Sequence, residues 1–249
     1  MITFAGVGKR YRADTWAVHE ISFEIAAGEF VVVLGESGSG KTTLLKMVNR
    51  LVESSAGSIL VAGKDVRDSD PVELRRTIGY VIQHVGLLPH LTVAANVAMV
   101  PRLLGWPETT ITERVRELLE LVGLPALGAR YPDQLSGGQR QRIGVARALA
   151  ARSKLMLLDE PFGGLDPITR VALQTELKRI HVELGLTTVM VTHDMVEALT
   201  LADRIAIIYR GDLKQIGTPS ELISQPADPY VAQLMGMARQ QAERLMAAT

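Results

Sequence analysis

Residues 29–48 read Glu29-Phe-Val-Val-Val-Leu34-Gly35-Glu36-Ser37-Gly38-Ser39-Gly40-Lys41-Thr42-Thr43-Leu-Leu-Lys-Met-Val48. The β-branched apolar run up to Leu34, bounded by Gly28 and Gly35, reads as a buried parallel strand. From Lys41 to Leu51 the apolar residues Leu44, Leu45 and Val48 recur at helical spacing. Between them, Gly35 to Thr42 fits the phosphate-loop pattern. Its glycines let successive backbone N–H groups curl inward as an anion nest, and the following helix aims its positive end there. Lys41 is then expected to reach the β- and γ-phosphates of a nucleotide, and the Thr42 hydroxyl to bind Mg²⁺. The bare pattern arises by chance in roughly one chain of this length per hundred. The flanking strand and helix remove most of those cases.

Working outward, Lys154-Leu-Met-Leu-Leu158 before Asp159 and Thr187-Thr-Val-Met-Val-Thr192 before His193 are further buried-strand runs. Leu173 to Leu184 lies between them with helical periodicity, so the strand–helix unit repeats. Arg204 to Tyr209, followed by Gly211-Asp212, reads as another strand and turn. Ile2 to Phe4, Ile21 to Ile25 and Ser58 to Val61 alternate like antiparallel strands. The stretch from His84 to Arg152 contains helical segments at Ile111 to Val122 and Gln139 to Ala151 and no clear strand. The expected fold is α/β: a phosphate-loop core with a mostly parallel sheet covered on both faces, an N-terminal antiparallel β subdomain and an inserted helical subdomain. Residues 1–83 and 153–225 would form the core with its β lobe, 84–152 the helical insert, and 226–249 a C-terminal amphipathic helix.

The composition narrows the function. Lys plus Arg and Asp plus Glu each number 27, so the basic excess typical of a nucleic-acid binder is missing. Cysteine is absent, which removes disulfides, thiolate metal sites and a Cys nucleophile. The N-terminus lacks the apolar core of a signal peptide, and no apolar run reaches the length of a membrane span. The expectation is a soluble chain that meets a membrane through a partner.

Asp159 and Glu160 close an apolar strand. Two acids there are often just a turn or a helix cap. Downstream of a phosphate loop, Asp159 is expected to hold Mg²⁺ directly or through water, and Glu160 to polarise the attacking water. His193 ends the next strand and is a candidate donor to the γ-phosphate or to that water. The other histidines (His19, His84, His90 and His181) read as structural. No His-Glu-x-x-His spacing occurs, so a protein-bound transition metal is not expected.

Leu135-Ser136-Gly137-Gly138-Gln139 opens a helix rich in Arg and Ala. It offers a hydroxyl, backbone N–H groups and a helix N-terminus to an anion. It also reads simply as a Ser136 N-cap with two flexible glycines. With this motif standing between the phosphate loop and Asp159-Glu160, the chain resembles the ATP-binding subunits of ABC transporters over nearly its whole length. The resemblance implies a head-to-tail pair of chains in the ATP-bound state. Each ATP would lie between one phosphate loop (Gly35, Glu36, Ser37, Gly38, Ser39, Gly40, Lys41, Thr42 and Thr43) and the other chain's Ser136, Gly137, Gly138 and Gln139. It further implies Tyr11 as the aromatic that stacks on adenine, with Trp16 as second choice. Gln83 would sense Mg²⁺ and the γ-phosphate, and Asp166 would lie in a loop crossing the pair. Taken singly, Tyr11 reads more readily as core packing and Gln83 as a surface polar residue; order and context carry both. Two departures are visible: Glu36 stands where proline is common, and Gly164 where alanine or serine is common.

Thr43 to Leu51, Gly79-Tyr-Val-Ile-Gln83, Gly86-Leu-Leu-Pro-His90 and Val100-Pro-Arg-Leu-Leu-Gly-Trp106 resemble the importers of glycine betaine, choline and related osmoprotectants. The implied partners are transmembrane permease subunits and, indirectly, a solute-binding protein, with the chain on the cytoplasmic face of a bacterial inner membrane. Many such relatives carry a C-terminal pair of regulatory domains. The 249 residues end before any such pair, so regulation by osmolarity is left open. Alternatives are an ATPase of another importer, an exporter or a lipid transport system, a soluble ABC protein that remodels ribosomes or DNA, or a nucleotide-binding module without hydrolysis.

Overall fold

The computed structural model describes residues 1–12, 15–83 and 85–247. His84 and the last two residues of the expected C-terminal helix lie outside that set. In chain order the elements begin with β1 (Ile2–Arg12), β2 (Thr15–Ile25), β3 (Phe30–Leu34), α1 (Lys41–Val48), β4 (Ala56–Val61) and β5 (Lys64–Asp65). Then come α2 (Pro71–Thr77), β6 (Ile78–Val81), α3 (Val93–Leu103), α4 (Glu108–Leu121) and α5 (Gly137–Leu149). The chain continues with β7 (Leu155–Asp159), α6 (Pro167–Leu184), β8 (Thr187–Thr192), α7 (Met195–Leu201), β9 (Arg204–Tyr209), β10 (Asp212–Gly217), α8 (Pro219–Ser224) and α9 (Pro229–Ala247).

The chain divides into two compact units. One comprises Met1–Ser69 with Val189–Thr249, the other Asp70–Thr188. In the first, β1 is central to an antiparallel sheet ordered β2-β1-β4-β5. Register shifts along the β1–β2 pair between Phe4 and Arg12 break its alternation, as bulges do. The same unit carries β3 paired in parallel with β9, and β9 turning back into antiparallel β10. Every residue of β3 is buried, the mark of a strand covered on both faces. Phe30, Leu34, Leu44, Leu45 and Met47 are among its largest fully buried side chains.

In the second unit β6 runs parallel to β7, with Tyr80 beside Leu157 and Val81 beside Leu158. The elements described between residues 85 and 152 are all helical. Ile111, Leu118 and Ile143 bury the inner faces of α4 and α5. The buried Asn96 binds the segment before α3: its Oδ1 accepts from Leu88 N at 2.7 Å, and its Nδ2 donates to the carbonyls of Leu88, Leu91 and Thr92 at 3.0–3.1 Å. Helix α6 has Asp166 as N-cap, Pro167 in its first turn and Gly185 in the left-handed conformation at its end, the usual start and stop signals. Strand β8 begins at the division between the units and is buried throughout.

Candidate functional site

In the first unit, β3 delivers the chain into the phosphate loop. Gly40 precedes α1 at φ 103°, and a Cβ there would stand 2.1 Å from the Ala17 carbonyl oxygen. Only glycine satisfies both conditions. The Lys41 ammonium donates to the carbonyls of Gly35 at 2.8 Å and Glu36 at 2.7 Å. This draws the side chain back over the loop it follows. The Ser39 carbonyl accepts from Gly211 N at 3.1 Å, tying the loop to the β9–β10 turn. The Ser39 hydroxyl is buried and has no hydrogen-bond partner among the described residues.

His193 is exposed between β8 and α7. The residues on either side hold its backbone. Buried Thr192 donates to Glu197 at 2.6 Å and accepts from Asp194 N at 3.0 Å, and Asp194 caps α7 by accepting from Val196 N and Glu197 N. Tyr11 is 62% exposed, with the Lys9 ammonium 5.2 Å from its ring centre. Trp16 packs on the backbone of Gly8, where a Cβ would stand 2.6 Å from the ring. Of the two aromatics, Tyr11 is thus the more accessible.

In the second unit, β7 ends in the buried Asp159 and the half-buried Glu160. Glu160 sits at φ 46°, the left-handed region that non-glycine residues seldom occupy. The Gln83 Nε2 donates to Glu160 Oε2 at 3.1 Å, so two residues singled out separately in the sequence meet. The Tyr80 hydroxyl donates to Asp159 Oδ2 at 3.4 Å. Burial, and then the Asp159 charge and hydrogen bond, push the Tyr80 phenol well above its ordinary range.

Ser136 caps α5 by accepting from Gln139 N at 3.2 Å, while Gln139 Oε1 accepts from Ser136 N at 2.9 Å. This reciprocal capping box fixes the motif's first turn. Gly138 packs against α6: a Cβ would lie 2.5 Å from the Thr169 methyl. Gly137 faces Leu165 in the same way, with its virtual Cβ at 3.3 Å. Exposed Asp166 accepts from Thr169 N at 3.0 Å, and the Thr169 hydroxyl and backbone hold its carboxyl below the usual range. The glycine motif and Asp166 are therefore neighbours. Two of the histidines read as structural do make side-chain bonds: His181 is buried against the Thr188 hydroxyl at 2.9 Å, and His19 contacts Asp212 at 3.0 Å.

Gln83 and Asp159 in the second unit offer amide and carboxylate oxygens and Thr42 in the first a hydroxyl, each a hard donor of the kind that suits Mg²⁺. Among the described residues no three His, Cys, Asp or Glu side chains converge on a metal position. Sequence reasoning missed Tyr80 and Asn96. The two-residue alternation of Ile78 and Tyr80 was the available signal for the first, and no motif marks the second.

Strand, glycine loop and helix over residues 30–48, with the acidic end of β7, define an α/β protein of the phosphate-loop class. More narrowly, this chain belongs to the ABC transporter family, whose model, described as "ABC transporter", matches residues 18–163. It is 53% identical over 240 residues to the choline transport ATP-binding protein OpuBA of Bacillus subtilis, covering 96% of this chain and 63% of that protein. It is 50% identical over 237 residues to the glycine betaine uptake system ATP-binding protein YehX of Escherichia coli, covering 95% and 77%. A sulfate/thiosulfate import ATP-binding protein CysA of Thermosynechococcus vestitus is 46% identical over 94% of this chain and 69% of that protein. The chain thus spans 60–63% of the length of the first curated relatives it matches. Among solved structures, the dimeric post-hydrolysis ATP-binding cassette MJ0796 bound to ADP and Pi matches with a TM-score of 0.78 and 32% identity, over 88% of this chain and 99% of that one. No described helix is long and apolar enough to cross a membrane.

Proposed function

We propose that the protein binds and hydrolyses ATP as the energising subunit of an ABC importer, and that the solute is an osmoprotectant such as glycine betaine or choline. The observation that carries the reading is the phosphate loop itself. A buried Ser39 hydroxyl with no partner among the described residues and a Lys41 ammonium drawn over the loop by the Gly35 and Glu36 carbonyls collect polar groups suited to an anion. Relatives named for choline and glycine betaine, at 50–53% identity, support the solute class.

In this proposal the backbone of residues 35–43 and Lys41 hold the phosphates, and Tyr11 stacks on adenine. Thr42, Asp159 and Gln83 hold Mg²⁺, which supplies charge neutralisation on the phosphate oxygens when bound. Glu160 orients and deprotonates the attacking water, and His193 donates to the γ-phosphate or to that water. Two copies pair so that Ser136, Gly137, Gly138 and Gln139 of one meet the nucleotide of the other, with Asp166 in the shared contact. Residues 84–152 act as the helical insert that answers closure, and residues 226–249 as a C-terminal helix. Permease subunits receive the movement on the cytoplasmic face of the inner membrane, and a binding protein delivers solute outside.

The test is phosphate release from ATP by the purified chain, then uptake by vesicles carrying it with its permease. Release abolished by Lys41→Ala, together with choline or glycine betaine uptake, is the expected result. No phosphate release overturns the enzymatic reading. Uptake of sulfate instead, the solute class of the relative at 46% identity, replaces the solute and leaves the ATPase standing.

A further inference from the structure

We propose that Tyr80 is a positioning residue for Asp159, holding that carboxylate in the orientation that receives Mg²⁺ with the nucleotide. The inference rests on the assignment of Asp159 as a metal-holding residue.

The argument begins with register. Strands β6 and β7 are parallel, with Tyr80 beside Leu157. Side chains alternate along a strand, so Tyr80, Leu157 and Asp159 share one face. The phenol is long enough to reach the strand's end, and its hydroxyl lies 3.4 Å from Asp159 Oδ2. Leu157 and Leu158 are fully buried and Asp159 is 5% exposed, so bulk water reaches the carboxylate little and its hydrogen bonds largely set its aim. An Asp side chain turns easily about its last torsion. A donor fixed on Oδ2 removes part of that freedom.

Close packing does not force the contact. Tyr80 borders a cavity of about 280 Å³ that it lines with Ile78, Ile82, Met99, Arg147 and Ala148, so space lies beside this residue. The hydroxyl nevertheless lies at Asp159. Partners of this kind beside metal ligands typically change metal affinity ten- to a hundredfold when removed. The 3.4 Å separation is long for an O–H···O bond, which puts the expected effect at about tenfold, the lower end.

The test uses the full chain and its Tyr80→Phe variant. Binding of a fluorescent ATP analogue is titrated with Mg²⁺, Mn²⁺ binding to the nucleotide complex is followed by electron paramagnetic resonance, and the nucleotide-free unfolding midpoint is measured. The expected result is a Mg²⁺ and Mn²⁺ half-saturation raised about tenfold, with unchanged metal-free nucleotide affinity and an unchanged midpoint. A Tyr80→Met variant, which also lacks the hydroxyl, should give the same shift. Unmoved half-saturation in both variants overturns the proposal whether or not the midpoint falls, as does an equal loss of metal-free affinity. Asp159→Asn separates the two layers. If it shifts the metal dependence and the Tyr80 variants do not, only this inference fails. If neither moves it, the assignment of Asp159 fails too.

Discussion

Gln83 and Glu160 are joined by a hydrogen bond of 3.1 Å from the amide nitrogen to the carboxylate. Glu160 is half-buried, whereas Gln83 is exposed, so the weaker-anchored partner holds the proposed catalytic one. Gln83→Ala should therefore lower turnover roughly ten- to hundredfold through misplacement of the carboxylate. Nucleotide affinity in the absence of metal should stay near that of the wild type. Steady-state kinetics alongside equilibrium binding would show the split, and an equal change in both would contradict it.

Glu160→Gln keeps the side chain's size and its ability to accept from Gln83 but removes the base. Turnover should drop by about 10²–10⁴ while nucleotide binding persists. With closure intact and hydrolysis blocked, a nucleotide-bound pair of chains should accumulate on size-exclusion chromatography. Turnover at the wild-type rate would take Glu160 out of the chemistry.

Ser136 has a structural duty besides its proposed one, because its hydroxyl caps α5. Ser136→Ala should cost about 1 kcal/mol, a drop of roughly 2–4 °C in the thermal midpoint for a chain of this size. Ser136→Asn retains the cap and should recover most of that loss. If the hydroxyl also meets the other copy's nucleotide, ATP-driven pairing fails in both variants, and calorimetry with light scattering distinguishes the two effects.

Asn96 is fully buried and holds the backbone of Leu88, Leu91 and Thr92 with four hydrogen bonds. Asn96→Ala strands those groups and should destabilise the chain by about 3 kcal/mol. Faster hydrogen exchange should be concentrated at residues 86–96. A denaturation midpoint within error of the wild type would show that water replaces the side chain.

Much of the core could be read in the sequence because β3, β7 and β8 are buried throughout and so appear as short runs dominated by apolar and β-branched residues. Strands β1 and β2 are eleven residues each, far longer than the short alternating pieces at Ile2 to Phe4 and Ile21 to Ile25. Register shifts and the left-handed Glu20 interrupt the alternation a reader relies on. Helix α2 buries only Leu74, leaving no periodicity to read. Helix α3 contains Pro101, which argues against a helix when read alone. At the site, glycine spacing made the loops legible, because a backbone need restricts residue type. The Tyr80–Asp159 and Asn96 contacts join a side chain to a carboxylate or to loop carbonyls, and no spacing rule encodes them.

The left-handed backbone at Glu160 has a consequence for how this protein would change under selection. A non-glycine residue in that conformation costs on the order of 1–3 kcal/mol, and Gly or Asn would carry less of that strain. A library screened for heat resistance alone should drift toward those residues at position 160 and return sturdier, inactive molecules. Durability and turnover pull in opposite directions at this single position.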